Sequence, residues 1–220
     1  MSSTSSSESV PGRLPFAGAA LVAAAGAFHV AWVLMPGVGI TDTHEIFRRV
    51  AANGDAVRAS VVLQLVSAAC YAPAALGLVR RLRGRLASAG AALLLIGAMG
   101  SAADAVLHLL AVEMVAPGVD RAAMVPVMER MQGPDLRLLA PMFAAFFTGS
   151  LALAAAAARQ ALVSRGNPLL FAAGVGCAVT AACVHTASPG ASRCLALAFL
   201  GFVAVSQAWL GVMLCRAGRR

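Results

Sequence analysis

The chain has 220 residues, 60% of them hydrophobic and only 12% charged, with a mean hydropathy of +0.83. A soluble domain carries roughly a quarter charged residues, so this composition excludes a water-soluble globular domain and implies an all-α, polytopic bundle in a lipid bilayer. The net charge of +8 rests on 17 arginines and no lysine; they lie in short stretches between apolar runs rather than on one basic face, which argues against a nucleic-acid partner.

Residues 1–13 form a Ser-rich tail (MSSTSSSESVPG, then Arg13) with nothing to bury, and disorder is expected there. The six-helix domain is assigned to 14–216 and a basic cytoplasmic tail to 217–220. The first apolar run, 16–35, is about 20 residues long, beyond the roughly 7–15 of a signal-peptide core, and reads as a retained helix. Further spans follow at 59–79, 87–113, 137–158, 168–187 and 194–215. Pro36, Pro117 and Pro189 fall just past span ends, where a helix stops at little cost. Pro73 and Pro141 fall inside spans two and four and predict kinks.

Two connecting segments have patterns of their own. In TDTHEIFRRVAANG, Asp42 is placed to cap a helix, with Glu45 three residues on as its reciprocal partner. Ile46, Phe47 and Val50 then share one face, and Asn53-Gly54 ends the helix. In DRAAMVPVMERMQGP, Asp120 is the cap and Met124, Val127, Met128 and Met131 form a stripe interrupted by Pro126. Both segments read as short amphipathic helices lying at the membrane interface.

Orientation follows from the arginines. With the N-terminus cytoplasmic, that side receives Arg13, Arg80, Arg81, Arg83, Arg85, Arg159, Arg165, Arg216, Arg219 and Arg220. The other side receives Arg48, Arg49, Arg58, Arg121, Arg130, Arg137 and Arg193, offset there by six acids. The denser cluster, RRLRGR, and the RAGRR tail place both termini inside.

This topology gathers the polar residues of the spans at one end. His29 in span one and His108 in span three lie about six residues from the outer end, roughly 9 Å deep at ~1.5 Å per residue. Asp104 is one turn deeper than His108, His185 is near the outer end of span five, and Gln64 is in the outer part of span two. His44 belongs to a surface segment. Each intramembrane residue sits in a stripe of small or polar residues: Gly18, Val22, Ala25 and His29; Ser60, Gln64, Ser67 and Tyr71; Gly97, Ser101, Asp104 and His108; Gly174, Ala178, Ala181 and His185. Such stripes mark faces where helices approach closely in lipid, so His29, Gln64, Asp104, His108 and His185 are expected to point into the bundle. The same stripes suit packing within the bundle or between protomers of a homo-oligomer.

An ionisable residue at that depth is costly unless paired, and Asp104 and His108 are spaced to pair on one helix face. Three readings fit the set: a structural hydrogen-bonded network, a proton or ion path through Asp104 and His108, and a metal or haem site with imidazole ligands. Met35, Met114, Met124, Met128 and Met131 near the same end would suit Cu(I), or simply fill apolar surface. The five cysteines show no CxxC or other metal spacing. There is no GxSxG elbow and no P-loop, so no catalytic residue is assigned. The expected function is binding or conducting a small ligand, ion or proton, with a metal- or haem-dependent redox protein as the alternative.

The stretch RRVAANGDAVRASVVLQLVSAACYAPAALGLVRRLRGRLASAG combines a short helix ending in ANGD, a span with an internal proline, and an Arg-rich turn into a Gly-containing span. In this it resembles the uncharacterised six-helix inner-membrane protein families, domains of unknown function, of GC-rich bacteria. The resemblance extends in layout over nearly the whole chain and implies a multi-pass protein of the bacterial cytoplasmic membrane. It carries over no activity and no site residue.

Overall fold

Runs of about twenty apolar residues have one way to satisfy their backbone in lipid, which is to form helix throughout. The computed structural model describes residues 13–38, 40, 42–184 and 187–218. Eight α-helices occur among them: α1 (Arg13–Leu34), α2 (Thr43–Ala52), α3 (Gly54–Arg81), α4 (Arg85–Met114), α5 (Arg121–Arg130), α6 (Leu136–Arg159), α7 (Gly166–Val184) and α8 (Pro189–Ala217). Six of these, α1, α3, α4, α6, α7 and α8, are long and apolar enough to cross a membrane, and the protein is a multi-pass integral membrane protein. The Ser-rich stretch 1–12 and the last two arginines lie outside the described residues.

Predicted and observed spans coincide closely, with two informative differences. Helix α3 starts at Gly54 rather than 59 because its polar first turn, GDAVR, continues the helix beyond the apolar run. Helix α8 starts at Pro189 rather than 194; proline is well placed in a first turn, where its missing N–H has no helical partner to lose. Pro73 and Pro141 lie inside α3 and α6 as expected. Between α5 and α6 the chain makes no loop but a five-residue π-helical turn, Met131–Asp135.

Across the bundle the long helices neighbour one another in the order α6, α4, α3, α1, α8, α7, with sparser contacts of α6 with α7 and α8. Glycines set the closest approaches. A Cβ on Gly211 of α8 would stand 2.7 Å from the Gly18 carbonyl of α1, and one on Gly149 of α6 would stand 2.7 Å from the Gly90 carbonyl of α4. The core is one apolar cluster in which Phe28, Tyr71, Leu94, Phe146, Leu153 and Leu214 are almost fully enclosed. Outward faces are apolar as well, with Met99 and Leu169 about two-thirds exposed to the surroundings, which is the surface a helix presents to lipid.

One end of the bundle carries the start of α1, the end of α8 and the loops after α3 and α6. Cys215 Sγ donates to the Pro15 carbonyl at 3.3 Å. Gln160 accepts from Arg83 N–H at 3.0 Å and donates to the Arg83 carbonyl at 2.8 Å, clasping the two loops together. Gly84 closes the first of these loops with φ +98°, a conformation glycine adopts without strain.

Helices α2 and α5 lie at the opposite end. Asp42 caps α2 by accepting from Glu45 N–H at 2.7 Å, and Asp120 caps α5 by accepting from Ala122 N–H at 3.0 Å. The reciprocal half of the α2 capping box does not form. The Glu45 carboxylate instead accepts from Arg48 and Arg49 at 2.6–2.7 Å, because two guanidiniums outcompete one backbone N–H for a carboxylate. Asn53 ends α2, its side chain donating to the Arg49 carbonyl at 2.9 Å. The apolar face of α2 does not lie against lipid as expected for an interfacial helix. Ile46, Phe47 and Val50 are buried with Met35, Val57, Val112 and Met128 in a second apolar cluster, so α2 and α5 roof the ends of α1, α3 and α4.

Candidate functional site

Beneath that roof is a cavity of about 780 Å³, within the roughly 300–1,000 Å³ typical of small-molecule pockets. Asp104 and His108 of α4 and Trp32 of α1 line it from the bundle, Phe143 from α6, and Met128 and Gln132 from α5 and the π-helical turn. Exposed Asp42 and Glu129 stand at its rim. Below Asp104 the bundle closes, since Ala98 and Leu94 of α4 are buried in the central apolar cluster.

The sequence predicted the Asp104–His108 relationship. One helical turn brings Asp104 Oδ2 to 3.3 Å from His108 Nδ1, with Asp104 5% exposed and His108 half-buried. The approach is close enough for Coulombic attraction but not aligned as a hydrogen bond, and both atoms lack a hydrogen-bond partner. The indole of Trp32 meets the His108 ring edge-on, with centroids 6.1 Å apart, and the Phe143 ring at 6.4 Å. Trp32 Nε1 and Gln132 Nε2 are also buried without a partner. Four unsatisfied polar atoms therefore belong to residues lining one cavity, although buried polar groups are as a rule hydrogen-bonded.

His29 and Gln64 go elsewhere. His29 is half-buried and does not line the cavity. A Cβ on Gly201 of α8 would meet its imidazole at 3.4 Å, so His29 belongs to the α1–α8 seam. Gly18 and Val22 of the same stripe meet Gly211 in that seam. Gln64 is fully buried, donates to Ser60 Oγ at 3.3 Å and does not line the cavity either. Its stripe on α3 serves packing, with Ser60 donating to the Ala31 carbonyl and Ser67 to the Ala24 carbonyl of α1, each at 2.8 Å. His44 is exposed on α2, and His185 lies outside the described residues. Of the expected five residues, Asp104 and His108 line the cavity and His29 and Gln64 do not. Among the described residues no three His, Cys, Asp or Glu side chains are grouped to hold a metal ion, and the five cysteines are free thiols.

Sequence reasoning missed two kinds of residue. Trp32 and Gln132 gain their importance from the cavity, and no spacing rule marks them. Gln207, Ser150, Asn167 and Ser206 are buried and tie helices together. Asn167 Nδ2 donates to the Ser206 carbonyl at 2.9 Å, and Ser206 Oγ returns a bond to Asn167 Oδ1 at 3.0 Å, joining α7 to α8. The signal was present, since polar residues inside apolar spans are interhelical bonds by default, but attention to ionisable groups passed over these neutral ones. Comparison with protein-family models, with characterised proteins and with solved structures returned no match for this chain.

Proposed function

We propose that the chain is a bacterial inner-membrane protein of the uncharacterised six-helix type it resembles, with both termini cytoplasmic. The α2/α5 end then faces outward and admits a small, mainly apolar ligand to the cavity over Asp104 and His108. The observation that carries this is the coincidence of a cavity of about 780 Å³ with four unsatisfied polar atoms on its lining residues, Trp32 Nε1, Asp104 Oδ2, His108 Nδ1 and Gln132 Nε2. Unpaired buried polar groups cost free energy, and a small turn of these side chains towards a ligand's polar head in the cavity would supply the missing partners. Conduction along Asp104 is disfavoured by the closed apolar core beneath it. Binding is accordingly the proposed function. The outward placement of this end rests on the ten-to-seven arginine bias of the sequence.

The chain holds two tryptophans, Trp32 and Trp209, which makes a direct test simple. In a Trp209→Phe protein, Trp32 is the sole emitter. The neutral apolar dye N-phenyl-1-naphthylamine should take up its excitation in a saturable manner, and Ala140→Phe, at a residue lining the cavity, should weaken that uptake. A linear, unsaturable response identical in both proteins would show partition into lipid or detergent and remove the ligand-binding reading.

A further inference from the structure

We infer that the cavity takes the cationic head of an amphipathic ligand, a lipophilic amine or onium ion. This rests on the ligand-binding reading above and adds the charge of the ligand. The chain as a whole is strongly basic, with 17 basic residues against 9 acidic. The cavity inverts that balance. Its described lining includes three carboxylates, Asp42, Asp104 and Glu129, and no arginine.

Three arginines at this end of the bundle are engaged elsewhere. Arg49 is held by Glu45 and by the Pro36 carbonyl at 3.2 Å. Arg58 stands 3.6 Å from Asp55 and 3.8 Å from Glu113, and Arg121 donates to the Val115 carbonyl at 3.2 Å. None of the three lines the cavity.

The acids alone would not define a site. The deciding group is Asp104, 5% exposed, lining the cavity, and with Oδ2 accepting no hydrogen bond. Its 3.3 Å approach to His108 Nδ1 leaves it without an aligned donor. A carboxylate withdrawn from water gains most from a positive charge placed beside it. The walls suit such a charge when it is carried on an apolar body. Trp32 and Phe143 present aromatic rings, which attract cations at their faces. Met35, Met128 and Met131 supply adaptable thioether surface. Asp42 and Glu129 at the rim draw cations inward and repel anions.

The test is competition in the Trp209→Phe protein, with N-phenyl-1-naphthylamine as the reporter of occupancy. Tetraphenylphosphonium and tetraphenylborate, matched in shape and opposite in charge, serve as competitors. The cation should displace the dye at a concentration lower than the borate by roughly tenfold or more. Asp104→Asn should abolish that difference. Glu129→Gln, an exposed rim change that leaves the core untouched, should reduce it by roughly twofold and keeps the test informative if the Asp104 variant fails to fold. Equal displacement by the two ions, stronger displacement by the borate, or a preference unmoved by both variants would overturn the inference while leaving the cavity as a binding site. Failure of the dye itself to bind would remove the ligand-binding reading and this inference with it.

Discussion

The hydroxyl of Tyr71 on α3 donates to Gln207 Oε1 on α8 at 2.6 Å, across 136 residues of sequence. Gln207 donates in turn to Ser150 Oγ of α6 at 2.8 Å, and Ser150 donates to its own helix at the Phe146 carbonyl, also at 2.8 Å. This relay links three membrane-spanning helices at the enclosed centre of the bundle, and each side chain in it has found a partner. The contrast with the cavity is instructive. The groups of this relay are satisfied and hold the fold together, whereas Asp104, His108, Trp32 and Gln132, which line the cavity, each keep a buried atom without a partner, as Gln64 and Ser101 do outside it.

Removing the Tyr71 hydroxyl should therefore be felt in stability and not in ligand binding. Tyr71→Phe leaves Gln207 Oε1 buried without its donor, at a cost of about 1–3 kcal/mol. Thermal unfolding in detergent should show a lowered midpoint, with dye binding at Trp32 unchanged below the transition. Loss of binding with unchanged stability would contradict the division between the two polar systems.

Ala161 offers a stabilising substitution. Helix α6 ends with Leu162 N–H bonded to the Ala157 carbonyl at 2.9 Å and Ala161 N–H to the Ala158 carbonyl at 3.2 Å, the paired bonds of a Schellman end. Ala161 itself is held at φ 55°, a left-handed conformation that favours glycine. Ala161→Gly should raise stability by about 0.5–1 kcal/mol, visible as a higher unfolding midpoint. An equal or lower midpoint would show that the loop tolerates the alanine without strain.

The ion pairs on α2 should respond to acid. Hydrogen bonds from Arg48 and Arg49 hold the Glu45 carboxyl down at about 2, against its ordinary value of 4.5. A carboxylate whose folded value is depressed contributes stability that is whole above 4.5 and declines as the pH falls towards and through about 2. Because the pairs are solvent-exposed, the effect should be small and local. Hydrogen exchange of the α2 amides, corrected for intrinsic rates, should lose protection over that window in the parent and show no such dependence in Glu45→Gln.

Topology is open to direct assay. A reporter fused after Arg85 should read as cytoplasmic, and one inserted between Pro117 and Asp120 as external. The structure already groups the start of α1 and the end of α8 with the loops after α3 and α6 at one end, so the two reporters must disagree if the bundle spans the membrane. The reverse assignment would turn the cavity towards the cytoplasm.

Much of this molecule was legible in the chain itself. The six spans, the caps at Asp42 and Asp120, the buried stripe from Ser60 to Tyr71 and the Asp104–His108 pair all follow from local rules, because hydrophobic runs, capping and helical periodicity act over one or a few turns. What the chain could not specify is which helix each stripe meets. His29 shares a face with Gly18 and Val22, and that face turns to α8. Trp32, three residues on, turns to His108 and the cavity. Helix order, the roof made by α2 and α5, and the inverted charge of the cavity beneath it exist only once distant segments are packed. Periodicity assigns a residue to a side of its own helix; the close approaches at Gly211 and Gly149 decide what lies opposite.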